Sequence, residues 1–267
     1  MKKSLFILLA LAAVSPLSAQ RYLLKDGRAL NQSEVTIKGN TLVRALSGGG
    51  GEVSYPIADV VRLDWPEPEE IEQARQLAAA GKHVESEEKI TGIYRQFAPF
   101  SKLPGSWWGE AALIRARALL AQDKIADAER AARELMSGST AADTVTAAQL
   151  IMARVQVVQN KPDIADAMLD EIMRKDASGE VEARAVMLRG DIAYARKDFE
   201  KALEFYLQVP VFYGTEEAVM PAALLGSARS YRGYGDAPRA ERAYLDIIVT
   251  YPDSAQAAIA KRESAAL

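Results

Sequence analysis

The sequence predicts a mainly α-helical fold, in which a small β module precedes a solenoid of about five helix pairs and a capping helix. Two observations support this fold class. Small and large residues recur in four columns at a period of 37 or 38 residues over residues 109–260, and such a period is typical of stacked helix pairs. Residues 20–65 instead alternate between apolar and polar side chains around glycine-containing turns, which favours short strands.

The first nineteen residues have the order of an export signal. Two lysines precede an apolar run from Leu5 to Val14, and small residues end the segment before Gln20. We therefore expect residues 1–19 to be a signal peptide and the mature protein to be periplasmic or secreted. A retained, buried N-terminal helix is the alternative.

The sequence contains no cysteine. Disulfides, thiolate catalysis and cysteine metal sites are therefore excluded, and without a lipid-attachment cysteine we expect no lipid anchor. Removal of the two signal lysines leaves 31 basic and 36 acidic residues, a net charge of −5. This balance argues against a general nucleic-acid binder. No apolar run reaches the roughly 18 residues of a spanning helix, so no transmembrane segment is expected.

Residues 20–65 form the predicted β module. Asp26-Gly27 and Gly39-Asn40 lie between alternating segments, as in hairpin turns. About five short strands over this length resemble a small SH3-like or Sm-like barrel. A structural cap is one interpretation of this module, and a binding site for peptidoglycan or another carbohydrate is the alternative.

Prolines in residues 66–68 mark a linker, because proline cannot donate a hydrogen bond to a β-ladder. Helix-forming residues dominate residues 69–267, the predicted solenoid. Its first column holds small residues, and its second column, twelve positions later, also holds small residues. Its third and fourth columns, four and seven positions after the second, hold mostly larger residues. The columns are Ala116, Ala153, Gly190 and Ala228; Ala128, Ala165, Ala202 and Ala240; Ala132, Leu169, Tyr206 and Tyr244; and Leu135, Ile172, Val209 and Ile247.

Small residues in two columns allow paired helices to approach at their crossing, while the larger ones pack into the next repeat. This explains why a helix accepts Gly190, although glycine costs about 1 kcal/mol relative to alanine. Asp198 is the predicted N-cap of the second helix of this pair. We expect a degenerate first repeat at residues 69–97, with Glu87 at the second small position, and a capping helix at residues 254–267.

The columns resemble tetratricopeptide repeats, with Tyr231, Ala240, Tyr244 and Pro252 giving the best copy. The ending of that repeat, IIVTYPDSAQAAIAKR, is similar to repeats of two groups of bacterial envelope proteins. These are the cell-division coordinator associated with the Tol-Pal system and the outer-membrane assembly lipoprotein. The resemblance implies a non-catalytic cell-envelope scaffold that needs no cofactor and binds a partner protein or peptide on its concave face.

Catalytic chemistry is not expected. His83 is the only histidine, which excludes a histidine triad and a multi-histidine metal site. Adjacent acidic pairs on helices do not face one another, and the glycine run at residues 48–51 lacks the lysine of a phosphate loop. An accessory subunit of a cell-wall enzyme is the least favoured reading, because the sequence shows no separate lysozyme-like domain.

Two surfaces are predicted to bind the partner. The insertion FAPFSKLPGSWWG carries Phe100, Trp107 and Trp108, which belong to the core or provide an exposed aromatic anchor. The concave face carries arginines, which bind carboxylates, so we expect an acidic segment or a C-terminal carboxylate there. These arginines are Arg117, Arg154, Arg184, Arg229 and Arg232. The alternative is that acids such as Glu110 and Asp191 neutralise them in place.

Export predicts that the mature protein begins at Gln20, because the small residues before it fit signal cleavage. N-terminal sequencing of the mature protein tests this expectation. Recovery of the chain with Met1 intact from a soluble cytoplasmic fraction would contradict it.

Overall fold

The computed structural model describes residues 20–46, 50–175 and 178–267. The predicted signal peptide, residues 1–19, lies outside these residues. Contacts divide the chain into two compact units, one ending at Pro66 and one beginning at Glu67. The first unit contains the strands and the second contains the α-helices.

The first unit has six short strands within the described residues. They are β1 (Arg21–Leu24), β2 (Ala29–Asn31), β3 (Val35–Lys38), β4 (Thr41–Ala45), β5 (Glu52–Pro56) and β6 (Val60–Asp64). The strands form two antiparallel sheets of three, with the orders β2-β1-β6 and β3-β4-β5. Leu30, Leu42 and Leu63 are fully buried and provide the core. The expected small β module is therefore present, and within the described residues no strand pairing joins its two sheets.

Two glycines make the predicted hairpin turns possible. Gly27 and Gly39 have φ angles of +85° and +57°, a region in which a Cβ atom is unfavourable. Gly39 lies in the turn between β3 and β4, whose register pairs Lys38 with Thr41. Both turns were predicted from the sequence, and the backbone conformation confirms them.

The second unit has eleven α-helices within the described residues. They are α1 (Glu69–Ala79), α2 (His83–Phe97), α3 (Trp108–Ala121), α4 (Ile125–Gly138), α5 (Ala142–Val158), α6 (Pro162–Met173), α7 (Gly179–Ala195), α8 (Phe199–Phe212), α9 (Met220–Tyr234), α10 (Ala237–Thr250) and α11 (Ala255–Ser264). Consecutive helices pack as five pairs, and α11 packs against α10 and α9. The predicted α-solenoid of five helix pairs with a capping helix is confirmed.

The four sequence columns form the core of the solenoid. Every alanine, leucine, isoleucine, valine and tyrosine in them is at most 3% exposed, and Gly190 is buried as well. Burial of apolar side chains contributes about 25 cal/mol per Å² of apolar surface. The period of the sequence is therefore the period of the hydrophobic core.

Gly190 leaves room for an aromatic ring. A Cβ atom on Gly190 would lie 2.7 Å from Cε1 of Tyr206, and a Cβ atom on Gly226 would lie 2.5 Å from the same atom. Gly190 belongs to α7, Tyr206 to its partner α8, and Gly226 to α9 of the next repeat. We expected Gly190 to permit a close approach of two backbones. Its missing side chain instead accommodates the Tyr206 ring between two repeats.

The first repeat follows the same columns, shifted by one residue from the predicted alignment. Ser86 occupies the second small position: it is fully buried, and its hydroxyl donates a hydrogen bond to the carbonyl oxygen of Ala74 at 2.8 Å. Buried Ile90 and Ile93 follow four and seven positions later. The assignment of Glu87 to the small position was wrong by one residue, because Ser86 is the residue of α2 that is buried against α1.

A residue with a positive φ angle precedes the second helix of each pair. These residues are Gly81, Asp123, Asn160, Lys197 and Gly235. Glycine, asparagine and aspartate tolerate this conformation, whereas other residues lose about 1–2 kcal/mol in it. Next to Lys197, the side chain of Asp198 accepts a hydrogen bond from the backbone N–H of Lys201 at 3.2 Å. The predicted N-cap is confirmed.

We expect Gly190→Ala to lower the free energy of unfolding by about 1–3 kcal/mol, because the added methyl group overlaps Tyr206. Gly92→Ala in α2 is the matched control. Its Cβ atom would meet no atom within 4 Å, so the higher helix propensity of alanine should add about 1 kcal/mol. Urea unfolding followed by circular dichroism measures both variants. Stabilisation by Gly190→Ala would contradict the packing role of Gly190.

We expect Lys197→Gly to raise the free energy of unfolding by about 1 kcal/mol, because glycine adopts the observed φ angle of +62° without strain. Lys201→Gly, within the first turn of α8, is the control and should lower it by about 1 kcal/mol. The same urea titration reports both values. A loss of stability in Lys197→Gly would show that the turn is not strained.

Candidate binding site

The first helices of the second to fifth pairs line a cavity of about 580 Å³. Residues of α3, α5, α7 and α9 line it, together with Tyr206 and two residues of α11. The wall includes the buried side chains of Leu150, Ile151, Leu188 and Leu225. Ligand pockets in proteins commonly have volumes of roughly 300–1,000 Å³ and mostly apolar walls. The cavity therefore has the size and the lining of a binding site.

Four of the five predicted arginines line this cavity. They are Arg117, Arg154, Arg184 and Arg229. Arg232 does not line it: this residue is exposed and lies in the last turn of α9, beyond Arg229. Arg232 was predicted to lie on the same face as the other arginines, and its role in binding a partner stays a prediction.

Arg154 and Arg229 each bind one carboxylate that also accepts a tyrosine hydroxyl. Arg154 forms an ion pair with Asp191, whose other oxygen accepts a hydrogen bond from the Tyr206 hydroxyl at 2.6 Å. Arg229 binds Glu263 at 2.6 Å. That carboxylate likewise accepts a hydrogen bond from Tyr244, at 2.9 Å.

Arg117 and Arg184 share a single carboxylate. Nη1 of Arg117 lies 3.1 Å from Oε1 of Glu180, and Nε of Arg184 donates a hydrogen bond to the same oxygen at 2.8 Å. Arg117 is on α3 whereas Glu180 is in the first turn of α7, so this contact spans α5. This contact therefore links α3 and α7, the first helices of two repeats that are not adjacent.

These ionisable groups keep fixed charges at neutral pH. Burial lowers the pKa of Arg117 to about 10, and the neighbouring Arg184 adds to this effect. Arg117 therefore remains a cation. Burial opposes the ionisation of Glu180, but the attraction of Arg117 and Arg184 outweighs it, so the pKa of Glu180 is lowered.

The tyrosines of the site stay neutral. Burial raises the pKa of both Tyr206 and Tyr244 to about 12. Each hydroxyl therefore keeps its proton and donates a hydrogen bond to a carboxylate. The hydrogen bond from Arg229 lowers the pKa of Glu263, which remains an acceptor.

The alternative that acids neutralise the arginines applies to the whole cavity, although not through every acid that we expected. Asp191 does bind Arg154. Glu110 instead binds Arg75 on α1 at 3.0 Å. The acids that the sequence analysis missed are Glu180 and Glu263. The spacing of Glu180 four residues before Arg184 is a sequence signal for one of these contacts.

The aromatic insertion is mostly core. Phe100 is 2% exposed and Trp108 is 5% exposed. Trp108 stacks at a tilt on Tyr94, with 5.9 Å between the ring centroids, and lies where a side chain on Gly138 would be. Of the two alternatives for these residues, packing in the core therefore describes Phe100 and Trp108. Trp107 is half-buried and is the one of these three residues that keeps substantial exposure.

Metal-ligating side chains do not cluster in the described part of the chain. Within residues 20–46, 50–175 and 178–267, no group of three or more metal-ligating side chains is close enough to hold an ion. Among the same residues, none of the helices is both long and apolar enough to cross a lipid bilayer. What the cavity offers chemically is apolar contact combined with guanidinium hydrogen bonds.

Comparison with known families identifies the helical region. The tetratricopeptide repeat-like domain matches residues 68–210, which include α1 to α7 and all but the end of α8. No curated protein matches the sequence. The matched region is more than half of the 267 residues. The repeat columns, the five helix pairs and this match agree, and the chain belongs to the tetratricopeptide repeat-like family.

Proposed function

We propose that this protein is a non-catalytic interaction scaffold that binds a segment of a partner protein in the cavity between α3, α5, α7 and α9. Repeats of this family typically serve as scaffolds, which supports the general class of function. The observation that carries the proposal is the cavity itself. It combines an apolar wall with four arginines, one from each of four successive repeats.

The chemistry of the cavity favours a segment with apolar side chains and a carboxylate. Apolar side chains would replace water along the leucine and isoleucine wall. Guanidinium groups bind carboxylates through paired, directional hydrogen bonds. An acidic segment or the C-terminal end of a partner chain supplies both features.

The location of this scaffold is also a proposal. The order of basic, apolar and small residues in the first nineteen residues supports export to the periplasm or the medium. The similarity of the last repeat to those of envelope proteins supports a role in the bacterial cell envelope. The partner would then be another exported or envelope protein.

We expect peptides selected by the mature protein from a random display library to bind less tightly to Arg154→Ala and Arg229→Ala. Loss of a hydrogen bond to a charged group costs about 1.5–3 kcal/mol, which corresponds to at least a tenfold weaker Kd. Isothermal titration of one selected peptide at low and high salt measures the effect. Higher salt should weaken binding further, because it screens exposed charges.

Arg130→Ala is the matched control for this titration. Arg130 is an exposed arginine on α4 that pairs with Asp127 and does not line the cavity. Its removal should leave the affinity unchanged. Equal binding by all three variants would place the peptide elsewhere and would contradict the proposed site.

A further inference from the structure

Glu180 occupies a position between two guanidinium groups that a ligand carboxylate would also fit. The distances from its Oε1 atom are 3.1 Å to Arg117 and 2.8 Å to Arg184. All three side chains reach solvent: Glu180 is 38% exposed, Arg117 is 29% exposed and Arg184 is 26% exposed. A carboxylate that enters the cavity can therefore reach the same two guanidinium groups.

The number of arginines that each carboxylate binds differs within the cavity. Arg154 has Asp191 to itself, and Arg229 has Glu263 to itself. Each of these carboxylates is also held by a tyrosine hydroxyl. Glu180, by contrast, serves two arginines, and among the described contacts no tyrosine hydroxyl holds it. In direct ion pairs, four arginines thus share three carboxylates, and Glu180 is the one that is shared; Glu110, which binds Arg75, adds only a longer-range attraction to Arg117.

We propose that Glu180 is an internal competitor for the carboxylate of the ligand, which displaces it from Arg117 and Arg184. This inference rests on the proposed function and specifies the chemistry of that site. The displaced Glu180 lies at the start of α7 and turns to solvent, while the ligand carboxylate accepts the hydrogen bonds of both guanidinium groups.

Displacement has two consequences for the protein. A ligand without a negative charge cannot replace Glu180, because Arg117 and Arg184 would lose their shared anion and repel each other. Glu180 therefore selects for anionic ligands. Its release also breaks the contact between α3 and α7 across α5, so ligand binding loosens a tie between two repeats.

Glu180→Gln tests the proposal with a probe that needs no knowledge of the partner. Hexanoate carries a carboxylate and an apolar chain, and hexanamide has the same shape without the charge. Glutamine preserves the size of Glu180 but removes its charge, so Arg117 and Arg184 lack a counterion. We expect Glu180→Gln to bind hexanoate about tenfold more tightly than the wild-type protein does, and hexanamide no more tightly.

Two further variants complete the experiment. Glu171→Gln, an exposed residue on α6 outside the cavity, is the matched control and should bind hexanoate as the wild type does. Arg184→Gln leaves Arg117 and Glu180 as a balanced pair, and should weaken hexanoate binding about tenfold relative to wild type. If Glu180→Gln is unstable, its melting temperature provides a second readout. Hexanoate should raise that temperature more than hexanamide does.

Each result has a definite meaning. Equal affinity of the wild type and Glu180→Gln for hexanoate would overturn the proposal, as would an equal gain for hexanamide or the absence of hexanoate binding by every variant. The peptide titration separates this proposal from the proposed function. Some selected peptides could bind through Arg154 and Arg229 with an affinity that does not depend on the charge of Glu180. That result would support the proposed binding cavity and would overturn the role of Glu180 as a competitor.

Discussion

The Tyr206 ring fills the space left by Gly190 and Gly226, and the arrangement of the binding site depends on this contact. The ring is 3% exposed, so packing fixes its position, and its hydroxyl donates a hydrogen bond to Asp191 at 2.6 Å. Asp191 in turn binds Arg154, which lines the cavity. A core contact between two repeats therefore holds a charged group of the site. A larger residue at either glycine would move the ring and, with it, the partner of Arg154.

The ion pairs of the cavity order the site more than they stabilise the fold. Solvent-accessible pairs contribute only about 0–1 kcal/mol to stability, because ordering two long side chains offsets much of their attraction. In this cavity the ordering has already occurred: Tyr244 and Glu263 hold Arg229 as Tyr206 and Asp191 hold Arg154. Preorganised side chains lose less entropy when a ligand binds. Under the proposed function, the cost is competition, because a ligand anion would have to displace or supplement an internal one.

The sequence predicted the helical fold well, because its period is the period of the buried columns. It placed Glu87 instead of Ser86 at the small position of the first repeat, because serine is a polar residue that is mostly exposed in proteins. It identified four arginines of the cavity from their repeat position, but not the contact of Arg117 with Glu180. That contact joins residues 63 positions apart and depends on how strongly successive repeats curve. The burial of Trp108 was one of two alternatives that the sequence left open, because composition does not show which way a ring points.

The first repeat approaches the capping helix, one of the helices that line the cavity. Gly81, in the turn of the first repeat, lies against the first residue of the capping helix, and a Cβ atom there would be 2.9 Å from Cβ of Ala255. The next three repeats place Asp123, Asn160 or Lys197 at this turn position, and a Cβ atom on Gly235 of the fifth would meet no atom within 4 Å. Gly81 satisfies two constraints at once, the positive φ angle and the approach of α11. The first repeat and the capping helix therefore meet at this turn, in the same array whose helices α3, α5, α7, α9 and α11 line the cavity.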